Sequence, residues 1–267
     1  MSLRFAPNQT GKLHLGHVRT CLANYLYAKK HNKKIYLRED FAYSVLKGTP
    51  ISHTDDLSWL GFRFDATHEL ASFVIPVTHK VSELLSINAD SVELLSGETI
   101  TTNLSLYRWF VALFPLFYKD RVAFLDCDLV FAFYSFCCDV ILGVDTIIQG
   151  KDLIAALPTY LSLHKNLPEL ALKLNPEYKG PPKFLFLSLV KDKDGRKFDQ
   201  RSKVGLTVEE LRDKGYSPES ILNWAFHSLV KVERRKRTLD EMVADFDIEK
   251  INYSDVIFSW EELNKWT

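Results

Sequence analysis

The chain has 267 residues, 46% hydrophobic and 25% charged, with 34 basic side chains balanced by 34 acidic ones. That length and apolar content suit one large α/β domain or two modest ones, and the zero formal net charge excludes a global positive field, so a nucleic-acid partner has to be met by local basic patches. Nothing resembles a signal peptide and no apolar run is long enough to span a bilayer, so no membrane partner and a cytoplasmic location are expected.

From the N-terminus, Leu3 to Ala6 is a short apolar stretch suited to a buried strand. Pro7, Thr10 and Gly11 break it, and from Gly16 the apolar residues Val18, Cys21, Leu22, Tyr25 and Leu26 recur at helical spacing. The turn between carries His14 and His17, three apart around Gly16, so both rings can reach one phosphate group. Unpaired amides at the helix start would face the anion, and the missing side chain of Gly16 would let a ligand approach the backbone. A strand-to-helix loop with solvated histidines fits the spacing equally well. Lys34 to Arg38 reads as a second strand, with Glu39 and Asp40 at an end that would face a ligand crevice. Thr49-Pro50 starts the next helix, which runs through Leu57 to Leu60 and stops at Gly61. The alternation implies a parallel sheet.

Residues 62–120 read as an inserted subdomain or a variable connection, with strand-like pieces at Ser72 to Val77 and an aromatic-rich helix from Leu104 to Tyr118. Strand, helix, strand and helix then follow over Arg121 to Leu125, Phe131 to Leu142, Thr146 to Gln149 and Leu153 to His164. Lys183 to Val190 is a further strand-like run, leading into the polar turn Lys191-Asp192-Lys193-Asp194-Gly195-Arg196-Lys197. From Thr207 onward the chain reads as helical, with a capped start at Ser217-Pro218-Glu219. The four cysteines, Cys21, Cys127, Cys137 and Cys138, show no zinc spacing and read as reduced, buried thiols. The basic run from Lys231 to Arg237 is read as a solvated helix end before an RNA contact. His53, His68, His79, His164 and His227 are scattered and receive no role.

Arg4-Phe5-Ala6-Pro7-Asn8-Gln9-Thr10-Gly11-Lys12-Leu13-His14-Leu15-Gly16-His17 resembles the first signature of class I aminoacyl-tRNA synthetases. More narrowly it resembles that of the glutamyl-tRNA synthetase family, R-F-A-P-S-P-T-G-x-L-H-I-G, with Asn8 and Gln9 in place of Ser-Pro. Lys197-Phe198-Asp199-Gln200-Arg201 stands where that family carries K-[LI]-S-K-R. Lys197 and Arg201 match its ends, whereas Asp199 and Gln200 replace the serine and the second lysine. On residue types alone, this segment equally describes an exposed charged loop. Between the two signatures, the segment from Phe131 to Asp152 is similar to Y-x-x-A-N-V-V-D-D-x-x-M-G-[IV]-[TD]-x-[VI]-I-R-[GA]-[ED]-[ED]. In that register Phe131, Ser135 and Gln149 occupy the places of the substrate-contacting Tyr, Asn and Arg.

The resemblance implies an α/β Rossmann-like parallel sheet with helices on both faces. Residues 1–61 and 121–205 would form the catalytic domain, 62–120 a shortened inserted α+β subdomain, and 206–267 a C-terminal helical subdomain. The family's anticodon-reading region would begin where this sequence stops, so a catalytic core is expected. The implied activity is ATP-dependent aminoacyl-adenylate formation with Mg2+, and transfer to the acceptor end of tRNA. His14, His17, Lys197 and Arg201 would be catalytic, and Gly11 and Gly16 would join His14, His17 and Lys197 around ATP. Arg4, Ala6, Asn8, Asp40, Phe131, Ser135 and Gln149 would bind the amino acid, glutamate or a related one, with no metal held by protein ligands. In the R-I-E-D motif at the strand end, Asp40 takes the place of the family's glutamate, or Glu39 does if one residue is missing. A neutral Gln149 cannot reproduce the bidentate pairing of an arginine with a side-chain carboxylate. An adenylating paralogue of altered amino-acid specificity, or a non-catalytic nucleotide- or partner-binding one, are the alternatives.

Overall fold

The computed structural model describes residues 1–7, 11–39, 52–69, 127–198 and 206–267. They fall in two compact units, one of residues 1–68, 144–155 and 182–267, the other of 69–143 and 156–181. This grouping divides the chain at different places from the sequence-based segments.

The first unit is built on a five-stranded sheet of order β3-β2-β1-β4-β5. Its strands are β1 (Ser2–Phe5), β2 (Lys34–Glu39), β3 (Ala66–Glu69), β4 (Val144–Gly150) and β5 (Lys183–Leu187). The β1–β2, β1–β4 and β4–β5 pairs are parallel, with Leu3 opposite Ile35 on one side and Thr146 on the other. The chain thus builds outward from β1 in one direction and returns on its other side with β4. In open parallel sheets that reversal places the ligand crevice beyond the carboxyl ends of the two strands. The first signature leaves β1 at that end, and Gln149 and Gly150 close β4 there.

Helix α1 (Leu15–Lys30) packs against β1, β2 and β4. The apolar spacing that predicts it is the spacing it buries, with Val18, Cys21, Leu22 and Leu26 fully enclosed. Asn24 fixes it to the sheet, donating from Nδ2 to Ile148 O at 2.8 Å. After β2 comes α2 (Thr54–Trp59), which ends before Gly61 at a φ of 91°. The helix expected from Thr49-Pro50 begins instead at Thr54, with Ser52 and His53 outside it; residues 49–51 lie outside the described residues, as do the elements expected between Ser72 and Leu125.

The second unit contains α3 (Cys127–Ile141), α4 (Leu157–Asn166) and α5 (Pro168–Leu174), with α3 packed on both of the others. Cys137 and Cys138 are buried, as is Cys21 in the first unit, and all three are free thiols. His164 is buried between Phe136 and Tyr160, with Nδ1 2.7 Å from the Tyr178 hydroxyl, and Tyr160 donates to Asp139 Oδ2 at 2.9 Å. The expected helix from Leu153 to His164 is two elements, a 3-10 turn over Lys151–Ala156 and then α4. Pro158 accounts for the break, because a proline opens a first turn well but cannot donate within a helix.

The rest of the first unit comprises β6 (Val190–Lys191), α6 (Val208–Asp213), α7 (Pro218–Leu229), α8 (Leu239–Asp245), β7 (Val256–Ile257) and α9 (Trp260–Asn264). Capping boxes at Thr207 with Glu210 and at Thr238 with Glu241 start α6 and α8. Two expectations are corrected. The strand from Lys183 stops at Leu187, and Val190–Lys191 instead pairs in parallel with β7, so the C-terminal region is not wholly helical. Nor is the basic run a helix end. It follows α7 without helical structure, and Arg234, Arg235 and Arg237 are paired with Glu262, Glu241 and Asp245.

Candidate functional site

His14 is the N-cap of α1. Its Nδ1 accepts from the Gly16 N–H at 3.1 Å, and the His17 Nδ1 accepts from the His14 N–H at 3.3 Å. The two rings stack with centroids 3.8 Å apart and planes 26° from parallel. With both Nδ1 atoms acting as acceptors, the proton of each neutral ring sits on Nε2, which becomes the ring's donor. Burial first, then the neighbouring charges of His14, His53 and Lys197, push the His17 pKa well below 6.5. His17 is therefore a neutral N–H donor at pH 7.

The expected cradle of open helix-start amides is corrected by this geometry. The Leu15 N–H donates to Leu206 O at 3.2 Å, and those of His17 and Val18 to His14 O at 2.8 and 3.1 Å. With Gly16 held by the His14 ring, each of these amides already has an acceptor within the protein. Gly16 gives its N–H and the room left by its missing side chain to the imidazole. A Cβ there would lie 2.9 Å from His14 Cε1 and 3.0 Å from Nδ1, closer than carbon atoms tolerate. The glycine is the reason the His14 ring can fold back onto the helix and meet His17.

The turn that leads into Lys197 and Phe198 is a hairpin. Asp192 Oδ1 accepts from the N–H groups of Asp194 and Arg196 at 2.9 and 2.8 Å, Gly195 takes a φ of 78°, and Lys191 bridges back to Lys197. The Phe198 N–H donates to Val190 O at 3.0 Å. The Phe198 ring, 3% exposed, meets the His14 ring edge-on at 6.3 Å, so the apolar residue of the second signature touches the first histidine of the first. Lys197 Nζ is paired with the Asp152 carboxylate, and its charge is among those acting on His17. Gly150 makes room for that acid, since a Cβ at Gly150 would collide with Asp152 Oδ1.

The chain is matched over residues 1–95 by the family described as tRNA synthetases class I (E and Q), catalytic domain. It is 26% identical to a glutamate--tRNA ligase of Hydrogenobaculum sp. (strain Y04AAS1), over 97% of this chain and 66% of the relative. It is 28% identical to that of Prochlorococcus marinus (strain MIT 9301), over 98% of this chain and 66% of the relative. The chain is similar to glutamate--tRNA ligases over nearly its whole length. It spans just under two thirds of the length of these relatives. The fold agrees, since a glutamate tRNA ligase from Elizabethkingia meningosepticum, solved in complex with its amino acid, superposes with a TM-score of 0.70 at 19% identity. That alignment covers 100% of this chain and 68% of the other.

Against that relationship, the first unit brings together His14, Gly16, His17 and Lys197. Arg4 is buried in β1 opposite Tyr36, Ala6 and Gly11 are half-buried after it, and Gln149 is half-buried as the penultimate residue of β4, opposite Phe186. Phe131 and Ser135 belong to α3 in the second unit, where Ser135 is buried. Asn8, Asp40 and Arg201 lie outside the described residues. The other strand-end acid, Glu39, is engaged at the start of α2, where Oε1 accepts from Ser52 Oγ at 2.8 Å and from the His53 N–H at 3.3 Å. Sequence reasoning missed His53, which is buried and acts on His17 from a position 36 residues later with no spacing to announce it. No helix among the described residues is long and apolar enough to cross a membrane.

Proposed function

We propose that this chain carries out aminoacyl-adenylate formation of the glutamate--tRNA ligase type, in the cytoplasm, and passes the aminoacyl group to the acceptor end of a tRNA. The observation that carries the proposal is the stacked His14–His17 pair joined through Phe198 to the hairpin that bears Lys197. Two imidazole N–H donors beside an ammonium group form a donor set suited to the oxygens of a triphosphate, which accept hydrogen bonds and carry negative charge. His14 and His17 hold the phosphates. Lys197, exchanging Asp152 for the nucleotide, together with Arg201 compensates the charge that develops on pyrophosphate as it leaves. The amino-acid carboxylate attacks the α-phosphorus, the bond to the bridging oxygen breaks, and pyrophosphate departs with the electron pair. No protein nucleophile is required, so positioning and charge complementarity account for the rate.

Among the described residues, no group of three His, Cys, Asp or Glu side chains is placed to hold a metal. Mg2+ enters the proposal as the cation of the triphosphate. Arg4, Ala6, Asn8, Asp40, Phe131, Ser135 and Gln149 are proposed for the amino acid. A neutral, half-buried Gln149 at the end of β4 favours a second reading, in which the substrate's side chain is amide-like or otherwise uncharged.

The test is amino-acid-dependent exchange between ATP and pyrophosphate, run over all twenty amino acids with and without tRNA. Exchange driven by glutamate supports the first reading, and exchange driven only by another amino acid the second. No exchange under any condition refutes both.

A further inference from the structure

Helix α1 meets the second-signature hairpin at two points. One is the contact between His14 and Phe198, and the other is Arg19, two residues after His17 on the same helix. The Arg19 side chain is 1% exposed. Its Nη1 donates to Ser188 O at 2.6 Å, and its Nη2 to Ser188 Oγ, Asn252 O and Ser228 O at 2.9, 3.2 and 3.3 Å. None of these partners is a carboxylate, and Nε has no hydrogen-bond partner among the described residues. Burial lowers its pKa to about 10, with Asp255 acting in the opposite direction, so the group stays cationic at neutral pH. A buried cation served only by carbonyl and hydroxyl oxygens carries a desolvation cost that an apolar side chain of equal volume would not. Filling space is a poor reason to keep it.

Its partners lie at the root of the hairpin. Ser188 immediately precedes the segment in which the Leu189 N–H donates to Asp255 Oδ1 at 3.0 Å, and the Val256 N–H to Leu189 O at 2.8 Å. Ser188 Oγ passes the Arg19 contact on to Asn252 O at 2.9 Å. Asp255 also takes Lys151 and Lys191 at 2.5 and 2.8 Å. The hairpin leaves from this junction at β6 and returns to the same helix at Phe198. One helix therefore carries both the histidine pair and the anchor that sets where the hairpin begins.

We propose that Arg19 is a positioning residue for nucleotide activation: by fixing Ser188 it sets the root of the hairpin, and thereby the place of Lys197 beside His17. This rests on the adenylation reading above. Arg19 touches neither substrate nor reacting atoms and acts through Lys197.

The test is a double-mutant cycle on the full chain, with Arg19→Met, Lys197→Ala and the pair together, read by ATP–pyrophosphate exchange with kcat separated from KM. Arg19→Met is expected to lower kcat about 10-fold and to leave KM for the amino acid within about 2-fold; on top of Lys197→Ala it should add less than about 2-fold. A simple packing role would instead lower both backgrounds alike. Wild-type kcat in folded Arg19→Met, or the full loss persisting without Lys197, overturns the proposal. Should Arg19→Met not fold, Ser188→Ala removes one acceptor, with an expected loss of about 3-fold and the same dependence on Lys197. No loss, or an equal loss in both backgrounds, overturns it there too. If the wild-type chain shows no exchange, the adenylation reading has failed, and the same cycle is read on ATP affinity by calorimetry. Weakening confined to chains that retain Lys197 then supports the positioning role. Weakening in both backgrounds, or absence of ATP binding, overturns it.

Discussion

Gly16→Ala separates the site from the scaffold. A methyl group at that position would lie 2.9 Å from His14 Cε1, so the imidazole has to leave its place over the helix start. The Nδ1···H–N bond to Gly16 goes with it, worth about 1 kcal/mol, as does the stack on His17, worth about 0.5–1.5 kcal/mol. Alanine returns up to about 1 kcal/mol through its better helix propensity. With that full return, net stability should fall by about 0.5–1.5 kcal/mol, a shift of a few degrees in Tm at this chain length. ATP binding should suffer more. A hydrogen bond to a charged phosphate contributes about 1.5–3 kcal/mol, so misplacing one Nε2–H donor weakens binding roughly 10- to 100-fold. Thermal denaturation and ATP calorimetry on the same preparation read the two effects separately. Unchanged ATP affinity in a folded variant would refute the assignment of the histidine pair to phosphate.

Three further expectations concern other parts of the molecule. His164, buried beside Phe136 and Tyr160, has its pKa lowered to about 4 by burial, against an opposing influence from Asp139. The folded chain holds it neutral while the unfolded chain titrates near 6.5, so its stabilisation is complete above about pH 6.5 and is lost as pH falls toward 4, by about 3 kcal/mol in all. Urea unfolding at pH 7.5 and 4.5 should show a larger acid-dependent loss in wild type than in His164→Gln, by about 2 kcal/mol; equal losses would contradict it. Gln149→Arg should shift amino-acid preference in the exchange assay toward acidic substrates, by about 10-fold or more if a bidentate pair forms; an unchanged profile would remove Gln149 from substrate selection. Phe198→Ala should reduce kcat for exchange more than it raises KM for the amino acid, because it cuts the contact between hairpin and His14; the reverse split would place Phe198 in the amino-acid pocket instead.

Much of the frame was legible in the chain. Leu3 and Phe5 marked β1, and the spacing of Val18, Cys21, Leu22 and Leu26 marked the buried side of α1, because both patterns arise from local periodicity. The histidine pair was legible as a pair, but its geometry was not. The partner of the Leu15 amide, Leu206 O, and the ring that packs on His14, Phe198, are both more than 180 residues away in the chain. Gly16 stood out by its missing side chain, but the His14 ring that lies there was not legible, since sequence cannot say which group occupies the space left by a missing Cβ. Arg19 carried no signal at all. Two of its partners are the backbone oxygens of Ser228 and Asn252, which have no side-chain signature. Just past the end of β5, Ser188 O and Oγ accept from that guanidinium, 169 residues away in the chain.

The proposed reaction joins an amino-acid carboxylate to the α-phosphorus of ATP, and isolating its product is the decisive experiment. The chain is incubated with α-labelled ATP, Mg2+ and the amino acid selected in the exchange panel, pyrophosphatase is added, and bound and free nucleotides are separated. The account predicts a labelled aminoacyl adenylate retained at up to one per chain in wild type, released as AMP on addition of the cognate tRNA, and lost when His14 and His17 are both replaced by alanine. Labelled ADP, or no product from a chain that binds ATP, would contradict it.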